Sequence, residues 1–179
     1  MADKTDKSVK SLAEAASQAG KGGLPPVHLW NPPYCGEMDM EIRADGRWIH
    51  EGAPINRPQM VRLFSTILKR EGDRYFLVTP VEKVGIRVQD APFLAVDVDI
   101  DGTRITFTTN VGDSVTVGAD NPIRVAGTPD QPRPYVHVRA GLDALIDRKS
   151  FYRLADIAET APDGRLAVRT DSGWMSLEP

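Results

Sequence analysis

The residues best suited to bind a ligand lie on the first predicted β-hairpin. Residues 38–43 and 47–51 alternate apolar and polar side chains on either side of Asp45-Gly46, a pair that favours a type I′ turn. With those two residues as the loop, one strand face holds methionine and isoleucine and turns towards the core. The other, outward face carries Asp39, Glu41, Arg43, Trp48 and His50.

This predicted outward face combines an indole, a guanidinium, an imidazole and two carboxylates. An indole and a guanidinium can stack on a planar ligand, and the polar groups can hydrogen-bond its edges. The alternative is that the same side chains form ordinary solvent-facing cross-strand pairs. We therefore expect Arg43, Trp48 and His50 to contribute to a ligand site, with surface pairing as the competing interpretation.

Two arginines occupy the predicted starts of two helices. Arg57 precedes Pro58, and Arg148 precedes Lys149. A cation at the positive end of a helix opposes the helix dipole, so each arginine needs a local partner. That partner is either a carboxylate of the protein or an anionic ligand that the arginine and the N–H groups of the helix start bind jointly.

Other site chemistries have weaker support in the sequence. Cys35 is the single cysteine, which excludes an intramolecular disulfide. The three histidines stand at no recognised catalytic or metal-binding spacing from it, and a calcium-loop match beginning at Asp97 has Thr108 where a glutamate is needed. We predict no catalytic residue, metal site or cofactor. A hydrolase or transferase using Cys35 or a Glu/His pair stays open as an alternative.

Composition excludes several classes of protein. The chain has 179 residues, 41% of them hydrophobic and 26% charged, and a net charge of −3. This acidic balance argues against a nucleic-acid partner. No apolar run approaches the roughly 20 residues needed to span a bilayer, and no apolar segment of a signal peptide follows the start. We expect a cytoplasmic protein that binds neither nucleic acid nor membrane.

The sequence contains an internal repeat. Residues 55–79 align without a gap on residues 146–170 at an offset of 91, with six identical positions in 25. Three segments follow: a flexible or weakly helical N-terminal arm (1–24), an N-terminal repeat (25–90) and a C-terminal repeat (91–179). Residues 25–90 carry nine basic and nine acidic side chains, whereas residues 91–179 carry nine and thirteen. An anion site is therefore expected on the N-terminal repeat or where the repeats meet.

Hydrophobic periodicity predicts a strand-rich α+β protein. Each repeat is expected to form a small antiparallel sheet or partial barrel with one helix, over about 57–70 and 149–159 respectively. A second hairpin is predicted around Asp101-Gly102, with Val98 opposite Ile105.

Several short motifs resemble those of a family of bacterial proteins of unknown function. They are a W-x-P opening at Trp30, a D-M-x-I strand at 39–42, DGxW at 45–48, GxPIxR at 52–57 and LVTPVEK at 77–83. The resemblance spans about residues 24–179 and implies a duplicated core with a C-terminal half that is superficially similar to pleckstrin-homology folds. It also implies a nucleotide-like ligand between the halves and a signalling role.

The resemblance places Glu82 and Lys83 near the junction of the repeats, which makes Lys83 the preferred phosphate contact; an ordinary charge pair at a turn is the alternative. The function expected from the sequence is thus the binding of a small anionic, nucleotide-like ligand between the repeats, in a regulatory setting. A module that binds a protein partner and no small ligand is the first alternative.

Overall fold

The computed structural model of the chain describes residues 2–20 and 23–179, with side chains from residue 9 onward. Met1, Lys21 and Gly22 of the predicted arm lie outside the described residues. The chain divides into two compact units, residues 1–90 and 91–179. In the described part of the chain, no helix is both long and apolar enough to cross a membrane.

Among its described residues, the N-terminal unit has one six-stranded sheet and two α-helices. Helix α1 (Ala2–Ala19) comes first, and a short 3₁₀ helix (Val27–Leu29) follows it. The sheet order is β3-β2-β1-β6-β5-β4, in which two antiparallel meanders are joined by parallel pairing of β1 with β6. The remaining elements are β1 (Tyr34–Ile42), β2 (Trp48–His50), β3 (Ala53–Pro54), α2 (Pro58–Thr66), β4 (Leu68–Glu71), β5 (Arg74–Val78) and β6 (Lys83–Val88).

Helix α2 is shorter than its sequence pattern predicts. Pro58 occupies the first turn, where its missing N–H costs nothing, but the helix ends at Thr66 instead of near residue 70. Residues 68–71 form β4, which pairs with β5 across a tight turn at Gly72, whose φ is +61°. Pairing with a neighbouring strand therefore overrides the helical periodicity of this segment.

The C-terminal unit has a six-stranded sheet of the same topology. Its order is β10-β11-β12-β7-β8-β9, again two antiparallel meanders joined by a parallel pair, β12 with β7. Helix α3 follows this sheet and leads into a separate three-stranded sheet, β13-β14-β15. The elements are β7 (Phe93–Asp101), β8 (Arg104–Thr109), β9 (Ser114–Thr116), β10 (Ile123–Thr128), β11 (Gln131–Arg139), β12 (Leu142–Ile146), α3 (Arg148–Asp156), β13 (Glu159–Thr160), β14 (Leu166–Thr170) and β15 (Gly173–Ser176).

These two matching sheets confirm a strand-rich α+β fold with two related repeats. Both six-stranded sheets are open in the described residues, so neither repeat forms the predicted partial barrel. The helices occupy different places: α2 lies between the third and fourth strands of its sheet, whereas α3 follows the sixth. The likeness of the C-terminal half to pleckstrin-homology folds stays a prediction.

The N-terminal segment forms a regular helix. Helix α1 contacts α2, and Leu12 and Ala16 on it are fully buried. These two residues are one helical turn apart and so lie on the same side of α1.

Candidate functional site

The first hairpin has a different register from the predicted one. Trp48 lies opposite Ile42, so it does not face Arg43. The loop holds three residues, since the Arg43 N–H donates to the Arg47 carbonyl at 2.9 Å and Gly46 takes a φ of +86°. An odd loop shifts the pairing by one residue, which moves the side chains of β2 to the opposite face, whereas Met38, Met40 and Ile42 of β1 stay buried as predicted.

Trp48 consequently points into the core. Its side chain is 1% exposed and stacks on Phe64 of α2, with ring centroids 6.3 Å apart. His50, two residues along the same strand, lies on the same face and is half-buried. Within the described residues, neither Trp48 Nε1 nor His50 Nε2 has a hydrogen-bond partner. The expected outward position of these rings is wrong, and their role in ligand binding stays a prediction.

The opposite face of the N-terminal sheet carries a network of ion pairs. Arg87 of β6 lies 2.8 Å from an Asp39 oxygen and 3.4 Å from a Glu41 oxygen. Hydrogen bonds to Asp39, and then to Glu41, raise the pKa of Arg87 above its usual range. Arg43 lies 3.5 Å from Glu41. Its guanidinium therefore already has a carboxylate partner on the protein.

Lys83 belongs to a second cluster on this face. Its Nζ lies 3.0 Å from Glu71 Oε2 and 4.7 Å from the centroid of the Phe76 ring. The hydrogen bond from Lys83 lowers the pKa of Glu71. Glu82, its neighbour, closes the turn through its backbone, which accepts from the Thr79 N–H at 2.9 Å. Any phosphate bound by Lys83 would have to compete with Glu71.

The two helix-start arginines differ in their surroundings. Both are exposed, and no carboxylate of the described residues pairs with either guanidinium. Arg57 is the N-cap of α2 and makes no side-chain capping bond there. Arg148 is the first residue of α3, which Asp147 caps by accepting from the Ser150 N–H at 2.8 Å. Of the seven predicted site residues, Arg148 is the one that lines the groove described next.

A groove of about 770 Å³ lies in the C-terminal unit. One wall is the tip of the β10–β11 hairpin, and the other is the first two turns of α3 together with the end of β12. The side chains that line it include two arginines, a carboxylate, an amide and two aromatic rings: Asp130, Gln131, Arg133, Arg148, Phe151 and Tyr152.

The groove exists because β11 extends past its neighbour. Pairing between β11 and β12 begins at Tyr135, so residues 131–134 pair with β10 alone. Pro132 and Pro134 fall in this part. Proline has no N–H to donate, and here β12 offers no partner that would need one. Gly127 opposes Pro132 and takes a φ of +87°. The extended hairpin tip and α3, which starts two residues after β12, therefore enclose a concave surface.

Two side chains of the groove lining, Arg148 and Tyr152, are available to a ligand. Arg133 donates from Nε to the Tyr135 hydroxyl at 3.2 Å, which holds its guanidinium in place. Arg148 has no pairing group among the described residues and is exposed. Tyr152 is 59% exposed. Two guanidiniums and one carboxylate leave a net positive lining that suits an anion, and Tyr152 offers a face for stacking.

Sequence reasoning missed most of this groove. The segment 127–134 reads as a proline-rich connection, although it contains parts of two strands and their turn. The available signal was Arg148, an arginine at a helix start for which an anion was one of two explanations. Phe151 and Tyr152 gave no signal, because an aromatic residue on a short helix is usually part of a core.

The catalytic alternative gains no support from the surroundings of Cys35. Its thiol is exposed, and its hydrogen bond in the described chain goes to the Pro33 carbonyl oxygen at 3.3 Å. No histidine or carboxylate of the described residues hydrogen-bonds this sulfur. The same residues contain no group of three His, Cys, Asp or Glu side chains that could hold a metal ion.

Two family models together match most of the chain. Residues 25–91 match the N-terminal domain of a domain of unknown function, DUF1285, and residues 92–176 match the C-terminal domain of the same family. No protein among the curated ones matches the chain.

Two crystal structures of similar proteins agree with these models. A DUF1285 family protein from Silicibacter pomeroyi is 57% identical over 93% of this chain and 94% of its own, with a TM-score of 0.86. A DUF1285 family protein from Shewanella baltica is 30% identical over 66% of this chain and 91% of its own, with a TM-score of 0.55. The resemblance seen in the sequence motifs is confirmed, and the chain belongs to the DUF1285 family.

Proposed function

We propose that this protein binds a small anionic, nucleotide-like ligand in the groove of its C-terminal unit and acts as a regulatory protein of the cytoplasm. The observation that carries the proposal is the unpaired guanidinium of Arg148 at the edge of a 770 Å³ groove. This place differs from the junction of the repeats that the sequence favoured.

The volume and chemistry of the groove support a ligand larger than a bare anion. Ligand pockets commonly have volumes of about 300–1,000 Å³, a range that contains this groove. Arg148 and Arg133 supply planar donors for a phosphate or carboxylate. Tyr152 supplies the face on which a flat ring stacks, and Asp130 can accept a hydrogen bond from that ring. A nucleotide has both the anionic and the planar part.

The proposal is tested by thermal unfolding of the full chain with a panel of nucleotides, inorganic phosphate and simple carboxylates. A ligand present at 100 times its Kd adds about 2.7 kcal/mol to the free energy of unfolding. For a chain of this size that corresponds to a rise in Tm of about 5–11 °C.

The variants Arg148→Gln and Tyr152→Ala should weaken binding of the ligand found in this way by at least tenfold each. Arg104→Gln is the matched control, because Arg104 is also an exposed, unpaired arginine of the same unit but lies on β8, away from the groove lining. The proposal fails if no compound raises Tm, or if Arg148→Gln and Arg104→Gln leave binding equally strong.

A further inference from the structure

The two walls of the groove carry opposite charges. Arg148 stands at the start of α3, on one wall, and no carboxylate of the described residues pairs with it. Asp130 lies at the tip of the β10–β11 hairpin, on the other wall. It is exposed, and its carboxylate has no ion pair or hydrogen bond in the described part of the chain. A ligand that bridges the walls therefore needs an anion at one end and hydrogen-bond donors at the other.

The backbone of the hairpin wall is poor in donors. Three of the residues from the turn to the end of this wall are prolines, which have no N–H: Pro129, Pro132 and Pro134. The Gln131 N–H is already used, because it donates to the Thr128 hydroxyl at 3.2 Å. This wall consequently meets a ligand mainly with oxygen acceptors.

One of these acceptors is a backbone carbonyl that faces the groove. The backbone groups of successive residues in a strand point to opposite sides. The His137 N–H donates to the Pro122 carbonyl at 3.1 Å, on the side of β10, and the β10–β11 register is regular from there to the turn. The carbonyl of Pro132 therefore points away from β10. Since Pro132 lies beyond the pairing with β12, this carbonyl is directed into the groove that Pro132 lines.

Among nucleotide bases, guanine matches a wall of acceptors. Its Watson–Crick edge carries two adjacent donors, N1–H and the N2 amino group, and a carboxylate can accept from both at once. Adenine has an unprotonated N1 at the same place, and the lone pair of this nitrogen would face the carboxylate oxygens. A site that discriminates in this way combines an attractive contact to one base with a repulsive one to the other.

We propose that the groove selects guanine nucleotides over adenine nucleotides. The guanine N1–H and N2 amino groups donate to Asp130, the ring stacks on Tyr152, and the phosphate binds Arg148. This inference rests on the function proposed above, because it names the base of the nucleotide-like ligand.

The test measures the Kd of guanosine, adenosine and xanthosine monophosphates for the full chain by isothermal titration calorimetry. The wild type should bind guanosine monophosphate at least tenfold more tightly than adenosine monophosphate, since hydrogen bonds to a charged group differ between them. Asp130→Asn places an amide N–H₂ where guanine donates, and it should weaken guanosine monophosphate at least tenfold. The same amide can donate to O2 of xanthine, so xanthosine monophosphate should bind this variant at least tenfold more tightly than it binds the wild type.

Asp156→Asn is the matched control. Asp156 is also an exposed carboxylate of the C-terminal unit, but it lies at the end of α3, outside the groove lining. The variant removes the same charge and should keep the wild-type order of affinities. A change of preference in Asp156→Asn as large as that in Asp130→Asn would overturn the inference, because net charge alone would then explain it.

Two other results would overturn the assignment of guanine. One is a wild type that binds adenosine monophosphate as tightly as guanosine monophosphate, and the other is an Asp130→Asn variant that keeps the wild-type preference. If binding in either case is lost in Arg148→Gln, the proposed function stands and the base assignment alone falls. If no compound raises Tm in the thermal panel and none of the three monophosphates binds, both proposals fall.

Discussion

Replacement of Gly127 by alanine tests the construction of the groove most directly. Gly127 has a φ of +87°, a conformation that costs an L-residue about 1–2 kcal/mol. A Cβ at this position would also lie well inside van der Waals contact with the backbone carbonyl oxygen of Gln131. Relief of such overpacking by moving the backbone costs about 1–3 kcal/mol. Together these costs predict a loss of about 2–5 kcal/mol.

Gly85→Ala is an informative control, because its Cβ would make an equally close contact of a different kind. The atoms in its way belong to the carboxylate of Glu37, an exposed side chain that also pairs with Arg74. The carboxylate can swing aside at the expense of a surface ion pair, worth about 0–1 kcal/mol. Alanine gains about 0.5–1 kcal/mol over glycine within a strand, so the net change should be close to zero.

Urea unfolding followed by far-ultraviolet circular dichroism measures both variants. With an m-value of about 2 kcal/mol/M, Gly127→Ala should lower the midpoint by about 1–2.5 M, and Gly85→Ala should leave it nearly unchanged. Equal stability of Gly127→Ala and the wild type would refute the reasoning about the hairpin tip. A loss at Gly85 as large as that at Gly127 would show that Glu37 cannot move as supposed.

Three further predictions concern the turns, the ion pairs and the core. Ala140 has a φ of +48° at the first position of a two-residue turn, so Ala140→Asn should raise the urea midpoint by the equivalent of about 0.5–1 kcal/mol. Lys83 lowers the pKa of Glu71, so the stability that Glu71 contributes is present above its unfolded pKa and is lost as pH falls through its folded pKa. Glu71→Gln should therefore make Tm depend less steeply on pH in the acid range. An unchanged acid range of the Tm–pH profile would contradict this. Trp48→Ala should cost about 3–5 kcal/mol in urea unfolding, whereas Trp48→Phe, which keeps an aromatic ring against Phe64 and removes the unpaired N–H, should cost less than half as much.

The two hairpins show how a small difference in loop length decides which residues can form a site. Around residue 102 the predicted pairing placed Val98 opposite Ile105, and the structure places it opposite Phe107. That error moves partners by two residues and leaves Val98 and Ile105 on their predicted, buried face. Around residue 45 the error is one residue, so Trp48 moves from the predicted outward face to the core.

Both turns contain Asp-Gly, and the residue pair alone does not distinguish them. In the first hairpin, the Asp45 carboxylate accepts from the Arg47 N–H at 3.0 Å, which helps to stabilise a three-residue loop. That backbone hydrogen bond, together with the Arg47 guanidinium 2.7 Å from the carboxylate, lowers the pKa of Asp45. The loop type is thus decided by local polar contacts that a period-two pattern does not contain.

Local pattern was sufficient for the strand-rich class, the two helices of the repeats and the internal duplication, because alternation, capping residues and repeated motifs act over a few neighbouring residues. Tertiary structure alone decided the end of α2, the burial of Trp48, the pairing of Lys83 with Glu71 and the groove beside Arg148. Each of these depends on residues that are remote in sequence, or on how far one strand extends beyond its neighbour in the sheet. Such contacts are selected by the packing of the whole unit, and no short stretch of sequence specifies them.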